Sequence, residues 1–462
     1  MLFKEANFRM SKNKTFHLSG AITAAGILAF SGVLIETAMN VTFPLLIQEF
    51  HVTTSGVQWV TTIYLLMISV IVPISSYLNQ NFSARNLFIT ANLFFMAGVL
   101  INCFSSTFFL LLLGRLLQGV GTGIGLPLMF HMILTKASVE KRGMMMGIGT
   151  LTTSIAPAIG PTYGGLISNS LDWRYIYIFL IPLILISLTV GLRSIPDESS
   201  REKQYLPFRC VFFLAIAFTS FILALSAASK ILFILFLVIG LTSSVLFVLS
   251  NRKTPLLQLS MLRNRRFSSF LFSLLIYQAL LLGLSFLLTN YLQISAGFPS
   301  SAAGLFMFPG ALMGAFLAPL SGRLLDKIGA KKPVLIGLST AVVGIILLGT
   351  LLHTNSLVLL IGSHLILMTG VGLSYSNLTT CSLNALSSSQ ISDGNAFVNT
   401  LQQFIGAVAT AAVAAIFSFS QKRYGFTSGT ASGAWVVLLL FLLLLITSTI
   451  VSVTAFKEKK SN

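Results

Sequence analysis

One carboxylate in this sequence lies where it could carry a proton across a membrane. Glu36 is well inside a long apolar run, whereas the other acidic residues lie in polar stretches or near the ends of such runs. A carboxylate at membrane depth costs roughly 2.5–3.5 kcal/mol on insertion, so it needs a partner, a path to water or a proton. We interpret Glu36 as a proton-carrying group. The alternative is a carboxylate satisfied by packing.

Arg115 is the one basic residue inside an apolar run. If the N-terminus is cytoplasmic, Glu36 and Arg115 both lie ~10–12 Å below the outer surface, at ~1.5 Å per helical residue. The two can therefore pair, directly or through Gln118 or water. A carboxylate balanced between burial and a nearby guanidinium is suited to carrying a proton. The alternative for Arg115 is that it only ties helix ends together.

A set of polar and aromatic residues could line a substrate cavity. Asn40 lies one turn from Glu36 on the same helix face. It could face the cavity or bond to neighbouring helices, as could Gln118. Trp59 and Tyr64 could anchor the chain at the membrane interface, which we prefer, or stack against a cationic drug. The candidates are Asn40, Trp59, Tyr64, Gln118, Tyr291, Asn377, Asn399 and Gln402.

The elements that position these residues follow from the composition. Apolar residues make up 55% of the 462 residues and charged residues 9%, whereas globular proteins average about 25% charged residues. So few charges exclude a soluble enzyme, a secreted domain or a disordered chain. Apolar runs of about 20 residues are typical of spanning helices and are too long for barrel strands of about 10 residues. We predict an all-α polytopic membrane protein.

The hydropathy pattern predicts fourteen spans. With the N-terminus inside, 24 of the 29 Lys and Arg residues lie on the cytoplasmic side and four on the outer side. Cytoplasmic loops are enriched in basic residues, so both termini are predicted to be cytoplasmic. The first apolar run is too long for a signal peptide. The spans are residues 19–44, 57–78, 86–106, 108–132, 143–167, 173–194, 208–228, 231–250, 267–291, 302–322, 333–352, 357–382, 396–419 and 432–455.

A weak internal repeat indicates two related halves. PISSYLNQNFSARN (73–86) and PLSGRLLDKIGAKK (319–332) share four identities, and each follows the second span of a six-span set. Two halves with a site between them are a transporter architecture. We predict a cytoplasmic segment 1–18, a first half 19–194, two inserted helices with flanking loops 195–266, a second half 267–455 and a tail 456–462.

The sequence resembles the major facilitator superfamily, in particular its fourteen-helix drug:proton antiporter group of the quaternary-ammonium and lincosamide resistance type. LIETAMNVTFP (34–44) is similar to the acidic first-helix motif, with Glu36 where Asp is commoner. QWVTTIYLL (58–66), GRLLQGVGTGIGLP (114–127) and WRYIYIF (173–179) resemble the second helix, the Arg-bearing fourth helix and the start of the sixth. The resemblance implies the major facilitator fold and covers nearly the whole chain.

Two further motifs add expectations to that resemblance. APAIGPTYGG (156–165) is similar to the antiporter motif, which implies that a kinked seam favours exchange over leak; its residues are Pro157, Gly160, Pro161, Gly164 and Gly165. The cytoplasmic gating motif is degenerate in the first half, where Ser76, Gln80, Asn81 and Ser83 replace Gly, Asp, Arg and Gly. The copy in the second half is largely intact, and it includes Gly322, Arg323, Asp326, Lys327 and Gly329.

No pattern predicts catalysis, a metal site or a cofactor. The five His residues show no ligand spacing, and no G-x-x-x-x-G-K-[ST] loop for ATP occurs. The net charge of +18 sits in short runs between spans, so it is read as a topology signal and not as a nucleic-acid surface. Cys103, Cys210 and Cys381 are interpreted as small buried residues.

The leading hypothesis is therefore a transporter and not an enzyme. It predicts a multi-pass protein of the bacterial cytoplasmic membrane that exports amphiphilic, cationic drugs in exchange for protons. Its expected partners are the lipid bilayer, a small-molecule drug and protons, and a monomer is sufficient. The alternative is export or uptake of a metabolite, a lipid or a peptide on the same scaffold, because fold does not determine substrate.

Overall fold

The computed structural model describes residues 17–196, 205–227, 229–253, 255–354, 356–387 and 390–457, and within these ranges the chain is helical without strands. The predicted N-terminal segment and tail lie almost wholly outside the described residues. Fourteen long helices follow one another. They are α1 Leu18–Phe50, α2 Thr54–Asn81, α3 Ala84–Cys103, α4 Phe108–Lys136, α5 Val139–Ser170, α6 Tyr175–Ser194, α7 Phe208–Leu225, α8 Lys230–Asn251, α9 Arg265–Ser295, α10 Ser300–Ile328, α11 Lys331–Thr354, α12 Leu357–Leu383, α13 Ile391–Tyr424 and α14 Phe426–Lys457.

Thirteen of these described helices are long and apolar enough to cross a membrane by length and composition. The remaining helix, α5, has 32 residues but is rich in Gly, Ser and Thr. It packs along both α1 and α10. Small residues allow such close helix contacts, so α5 is less apolar than a helix that faces lipid. The predicted count of fourteen membrane helices is accounted for in this way.

Most helices extend beyond the apolar runs that predict them. The sequence predicts a span over 19–44, but α1 continues to Phe50 and ends at His51, which has a left-handed φ of 52°. At the start of α3 the Ser83 hydroxyl accepts a hydrogen bond from the Asn86 backbone N–H (3.2 Å). Hydropathy marks the part of a helix inside hydrocarbon, whereas capping residues decide where the helix ends.

Gly329 ends α10 with φ +77°, a backbone conformation that glycine adopts without strain. The gating motif around it therefore lies in the last turns of α10, which continues to Ile328 beyond the predicted end of the span at residue 322.

Hydrogen bonds between the two halves lie at one end of the molecule among the described residues. This distal end is formed by the C-terminal ends of odd-numbered helices and the N-terminal ends of even-numbered helices. The seam between the halves is therefore tied at the distal end. The bonds join Asn40 to Ser285, Gln293 to the carbonyl of Val41, Thr289 to the carbonyl of Asn40, Thr54 to Gln421, Ser55 to Ser418, Thr162 to the carbonyl of Gly304 and Ser300 to the carbonyl of Gly165.

Candidate functional site

Glu36 lies in the middle of α1 and is 5% exposed. Its carboxylate makes no hydrogen bond or ion pair within the described part of the chain. It is nevertheless close enough to Arg115 and Tyr64 to interact with them electrostatically. A buried carboxylate without a fixed partner can accept either a proton or a cationic ligand.

Arg115, on α4, is fully buried and held by other groups. Its Nε donates to the carbonyl oxygen of Val60 (2.8 Å) and its Nη1 donates to Oε1 of Gln118 (3.1 Å). The guanidinium carbon lies 4.4 Å from the centre of the Tyr64 ring. The direct ion pair considered from the sequence is therefore not formed, because Arg115 is committed to α2 and to its own helix.

Tyr64 belongs to this buried group and not to the membrane interface. It is completely buried, and its hydroxyl donates to Thr122 on α4 (2.9 Å). A side chain at Gly32, one turn before Glu36 on α1, would lie 2.9 Å from the same hydroxyl. Tyr64 is thus packed between α1 and α4 beside Glu36.

Asn40 bonds to neighbouring helices. Its side-chain NH₂ donates to Ser285 on α9 (3.0 Å) and its side-chain carbonyl accepts from Thr61 on α2 (2.9 Å). Both polar ends of the amide are satisfied, so Asn40 joins three helices one turn above Glu36.

In the second half, a chain of polar groups links three helices. Gln402 on α13 donates to the hydroxyl of Tyr375 on α12 (2.7 Å), and that hydroxyl donates to Oε1 of Gln278 on α9 (2.8 Å). All three side chains are only partly buried. Gln402 is a predicted cavity residue, whereas its partners Tyr375 and Gln278 were not predicted. Tyr375 was missed because a single Tyr in a small-residue span is not distinctive.

Three of the remaining predicted cavity residues, Tyr291, Asn377 and Asn399, bond within their own half. The Tyr291 hydroxyl donates to the carbonyl of Leu352 (2.7 Å), and Asn377 donates to the hydroxyl of Ser321 (2.7 Å). Asn399 donates to a carbonyl of its own helix, and Trp59 is partly buried near the start of α2. These contacts give Tyr291 and Asn377 structural roles between α9, α10, α11 and α12.

The antiporter stretch of α5 places glycines against the helix that carries Glu36. Added side-chain carbons at Gly160 and Gly164 would run into the backbone of α1 at Leu34 and Ala38. On its other side, Gly165 lies against Gly304 of α10, and Thr162 donates to the Gly304 carbonyl (3.2 Å). Helix α5, with Pro157 and Pro161 inside it, is thus the wedge between α1 and the second half.

The gating motif lies at the end of the molecule opposite the distal end, which we call the proximal end. It is therefore away from Glu36 and Arg115. Arg323, Asp326, Lys327 and Gly329 are exposed, and Gly322 is half-buried. Asp326 makes no ion pair with any residue that the structure describes. The exposed carboxylate of Asp326 is therefore free of a salt bridge to the described basic residues around it in this conformation.

Comparison with known proteins identifies the family. Residues 25–411 match the profile of the Major Facilitator Superfamily. The chain belongs to this superfamily. It is 35% identical over 411 residues to lincomycin resistance protein LmrB of Listeria monocytogenes, with 87% of each chain covered. It is 32% identical over 407 residues to the LmrB protein of Bacillus subtilis, with 86% and 85% covered.

Membership of the major facilitator superfamily agrees with the architecture. The crystal structure of a peptide transporter, POT, matches with a TM-score of 0.67 over 93% of this chain and 94% of that chain. At 14% sequence identity this likeness shows the fold alone. The predicted family, fold and multi-pass membrane location are confirmed, and the chain is a transporter of this superfamily.

Proposed function

We propose that the protein exports amphiphilic, cationic drugs in exchange for protons. The observation that carries the proposal is the carboxylate of Glu36, which is buried in a spanning helix without a fixed partner among the described residues. In such surroundings an ionised carboxylate is costly unless a cation or a proton compensates it. Competition between a proton and a cationic drug for one carboxylate is sufficient to couple their movements in opposite directions.

Arg115 supports this role by remaining fixed. Because Val60 and Gln118 hold the guanidinium, its charge stays near Glu36 without blocking the carboxylate oxygens. A cationic drug then does not have to break an existing ion pair to reach Glu36. A proton released from Glu36 leaves a carboxylate that Arg115 helps to stabilise until the next ligand binds.

The second half supplies groups suited to an organic molecule. Gln278, Tyr375 and Gln402 offer amide and phenol groups without a charge, and a phenol ring can also stack against a cation. The lincomycin resistance named for two relatives supports a drug as the substrate class. With the termini in the cytoplasm, the tied distal end faces outward, so drug would reach Glu36 from the inner side.

The test is transport in energised vesicles, normalised to the amount of protein. Glu36→Gln keeps the size and hydrogen bonding of the side chain but cannot ionise. We expect it to insert normally and to bind neutral lipophilic compounds. Uphill efflux of a fluorescent lipophilic cation should fall to the level of protein-free vesicles, while Glu36→Asp should keep partial activity.

The matched control is Asp393→Asn, which neutralises a partly buried carboxylate in the first turn of α13, far along the chain from Glu36. It should pump like the wild type. Uphill pumping by Glu36→Gln at the wild-type rate would contradict the mechanism. Proton-coupled movement of neutral or anionic compounds, with no cation transported, would favour the alternative of a metabolite, lipid or peptide substrate.

A further inference from the structure

Among the described residues, four buried polar atoms at and around Arg115 lack hydrogen-bond partners. They are carried by side chains that are fully buried on three neighbouring helices of the first half. Gln118 Oε1 joins two of these side chains, because it accepts from Arg115 Nη1 (3.1 Å) and from Asn102 Nδ2 (3.4 Å). The Tyr177 hydroxyl is near enough to Asn102 and Arg115 to interact with both side chains, but it has hydrogen-bond geometry with neither. The unpaired atoms are Asn102 Oδ1, Arg115 Nη2, Gln118 Nε2 and Tyr177 Oη.

Turning the amides cannot satisfy this group. If the Gln118 amide is flipped, its NH₂ group takes the place of Oε1 beside Arg115 Nη1. Two donors then face each other, and the hydrogen bond between Arg115 and Gln118 is lost. The group has more N–H donors than acceptors, since Arg115 and Gln118 both donate. A water that accepted from Arg115 and Gln118 and donated to Asn102 and Tyr177 would satisfy all four atoms. Buried water usually occupies sites with two to four such partners.

A second set of contacts joins this polar group to the distal surface. The Ser105 hydroxyl donates to the backbone carbonyl of Asn102 (3.1 Å), and the backbone carbonyl of Ser105 accepts from Nε (3.1 Å) and Nη2 (2.6 Å) of Arg174. These contacts reach the backbone of Asn102, whose side chain belongs to the polar group. Arg174 is paired with Glu49 (2.6 Å) and Asp172 (3.2 Å), whose side chains are 36% and 48% exposed. Carboxylates that face water thus lie close to the buried polar group.

We infer that Asn102, Arg115, Gln118 and Tyr177 bind ordered water and form the path by which a proton from the outer side reaches Glu36. The inference rests on the proposed function, because it requires Glu36 to be the proton acceptor. Asn102, Arg115, Gln118 and Tyr177 belong to α3, α4 and α6, so the path runs inside the first half. It does not cross the seam through which the drug must pass.

The proton transfer balances without any further reactant. An O–H bond breaks on a water of the group, a new O–H bond forms on the Glu36 carboxylate, and the water is restored by a proton from the distal side. Arg115 stays protonated throughout. Its charge opposes passage of a proton unless Glu36 is negative, as it is once a cationic drug has left. The other titratable groups around the path are Tyr64 on α2 and Cys103 on α3.

The test compares two tyrosines near the distal end. Tyr177→Phe removes an unpaired hydroxyl and keeps the edge-on ring contact with Trp173 (6.1 Å). Tyr163→Phe, the matched control, removes a hydroxyl that donates to the Ile176 carbonyl (2.8 Å). Loss of an unpaired buried group should leave thermal stability equal or higher, whereas loss of a formed bond should lower it.

Transport should be impaired in Tyr177→Phe, although its thermal stability is not lowered. In vesicles with an imposed pH gradient, Tyr177→Phe should slow uphill efflux about tenfold, equivalent to ~1.4 kcal/mol in the barrier. The slowing should be larger in D₂O. Drug exchange without a pH gradient needs no net proton movement and should stay at the wild-type rate. Tyr163 lies in the antiporter stretch 156–165, so Tyr163→Phe is the control for thermal stability, and Arg85→Ala, outside the site, is the control that should keep both transport rates.

Wild-type efflux by Tyr177→Phe, or an equal loss of efflux and exchange, would overturn the inference. A requirement of transport for chloride would also overturn it, because it would show that the donors hold an anion. Failure of this inference is distinguishable from failure of the proposed function, since Glu36→Gln tests the latter alone. If Glu36→Gln abolishes uphill efflux and Tyr177→Phe has no effect, Glu36 is the proton carrier and the proton arrives by another route.

Discussion

At the scale of single residues, the proposed mechanism depends on Glu36 and Arg115 lying near each other without forming a direct ion pair. A direct pair would satisfy both groups and leave neither available to a ligand. The structure instead binds Arg115 to Val60 and Gln118 and leaves Glu36 without a fixed partner in the described chain. In the proposed mechanism, the carboxylate stays available to a proton or a cation because the guanidinium of Arg115 is already hydrogen-bonded to other groups.

Arg115→Ala should impair efflux and shift its pH dependence, because Glu36 loses the cation nearest to it. The variant also leaves the buried Val60 carbonyl without its donor, a loss of about 1–3 kcal/mol in unfolding free energy. Arg115→Lys should be milder but not silent, because Lys lacks the planar fork that reaches two acceptors. The measurement is the efflux rate against pH, beside thermal unfolding of the purified protein.

Arg85→Ala is the control for Arg115, since Arg85 lies at the start of α3 and donates to the Ile195 carbonyl (3.5 Å) outside the site. Its pH profile should match the wild type. An unchanged pH profile in Arg115→Ala would show that Arg115 and Glu36 are not coupled.

Whether a site residue could be predicted from the sequence depends on how unusual its residue type is inside an apolar run. Glu36 could be found because a carboxylate inside an apolar run is costly wherever the fold puts it. Tyr375 and Tyr177 could not, because a buried Tyr is ordinary. The Tyr375 partner Gln278 is 97 positions away, and only the folded chain brings them together.

At the scale of elements, α5 lies between the helix that carries Glu36 and the second half. It lies against α1 through Gly160 and Gly164 and against α10 through Gly165. The sequence could predict that α5 exists as the fifth spanning helix, from the apolar runs and from the alternating charge of the loops. The helices that α5 contacts could not be predicted, because small residues indicate a close helix approach but do not identify the partner helix.

Gly164→Ala should separate α5 from α1 two residues beyond Glu36. The added carbon would lie 2.9 Å from the Ala38 carbonyl carbon and 3.0 Å from its Cα, so backbone must shift. We expect a loss of about 1–3 kcal/mol in unfolding free energy and reduced coupled efflux with a larger proton leak. Thermal unfolding and proton leak into vesicles measure the two effects.

Gly349→Ala is the matched control on α11, where an added carbon meets nothing within 4 Å. It should leave transport unchanged and raise helix stability by up to about 1 kcal/mol. If Gly164→Ala behaves like Gly349→Ala, the contact between α5 and α1 does not govern coupling.

At the scale of the whole molecule, two independent features bear on which way the cavity faces. Hydrogen bonds between the halves lie at the distal end among described residues. The bias of basic residues assigns the opposite, proximal end to the cytoplasm. If the predicted orientation holds, the hydrogen-bonded distal end faces outward, and this is the conformation in which the proposed exchange at Glu36 of a proton for a drug takes place from the inner side.

The orientation itself can be tested with single cysteines in a variant lacking Cys103, Cys210 and Cys381. Phe298→Cys lies between α9 and α10 at the distal end, and Tyr205→Cys lies before α7, where the side chain is 99% exposed. The charge bias predicts that a membrane-impermeant maleimide labels Phe298→Cys in intact cells and labels Tyr205→Cys only after permeabilisation.

The two positions are separated by three spanning helices, α7, α8 and α9, so they must lie on opposite sides if all three cross the bilayer. Labelling of both from the same side would remove the fourteen-span topology. Labelling of Tyr205→Cys alone in intact cells would keep the spans but invert the protein, and the tied distal end would then face the cytoplasm.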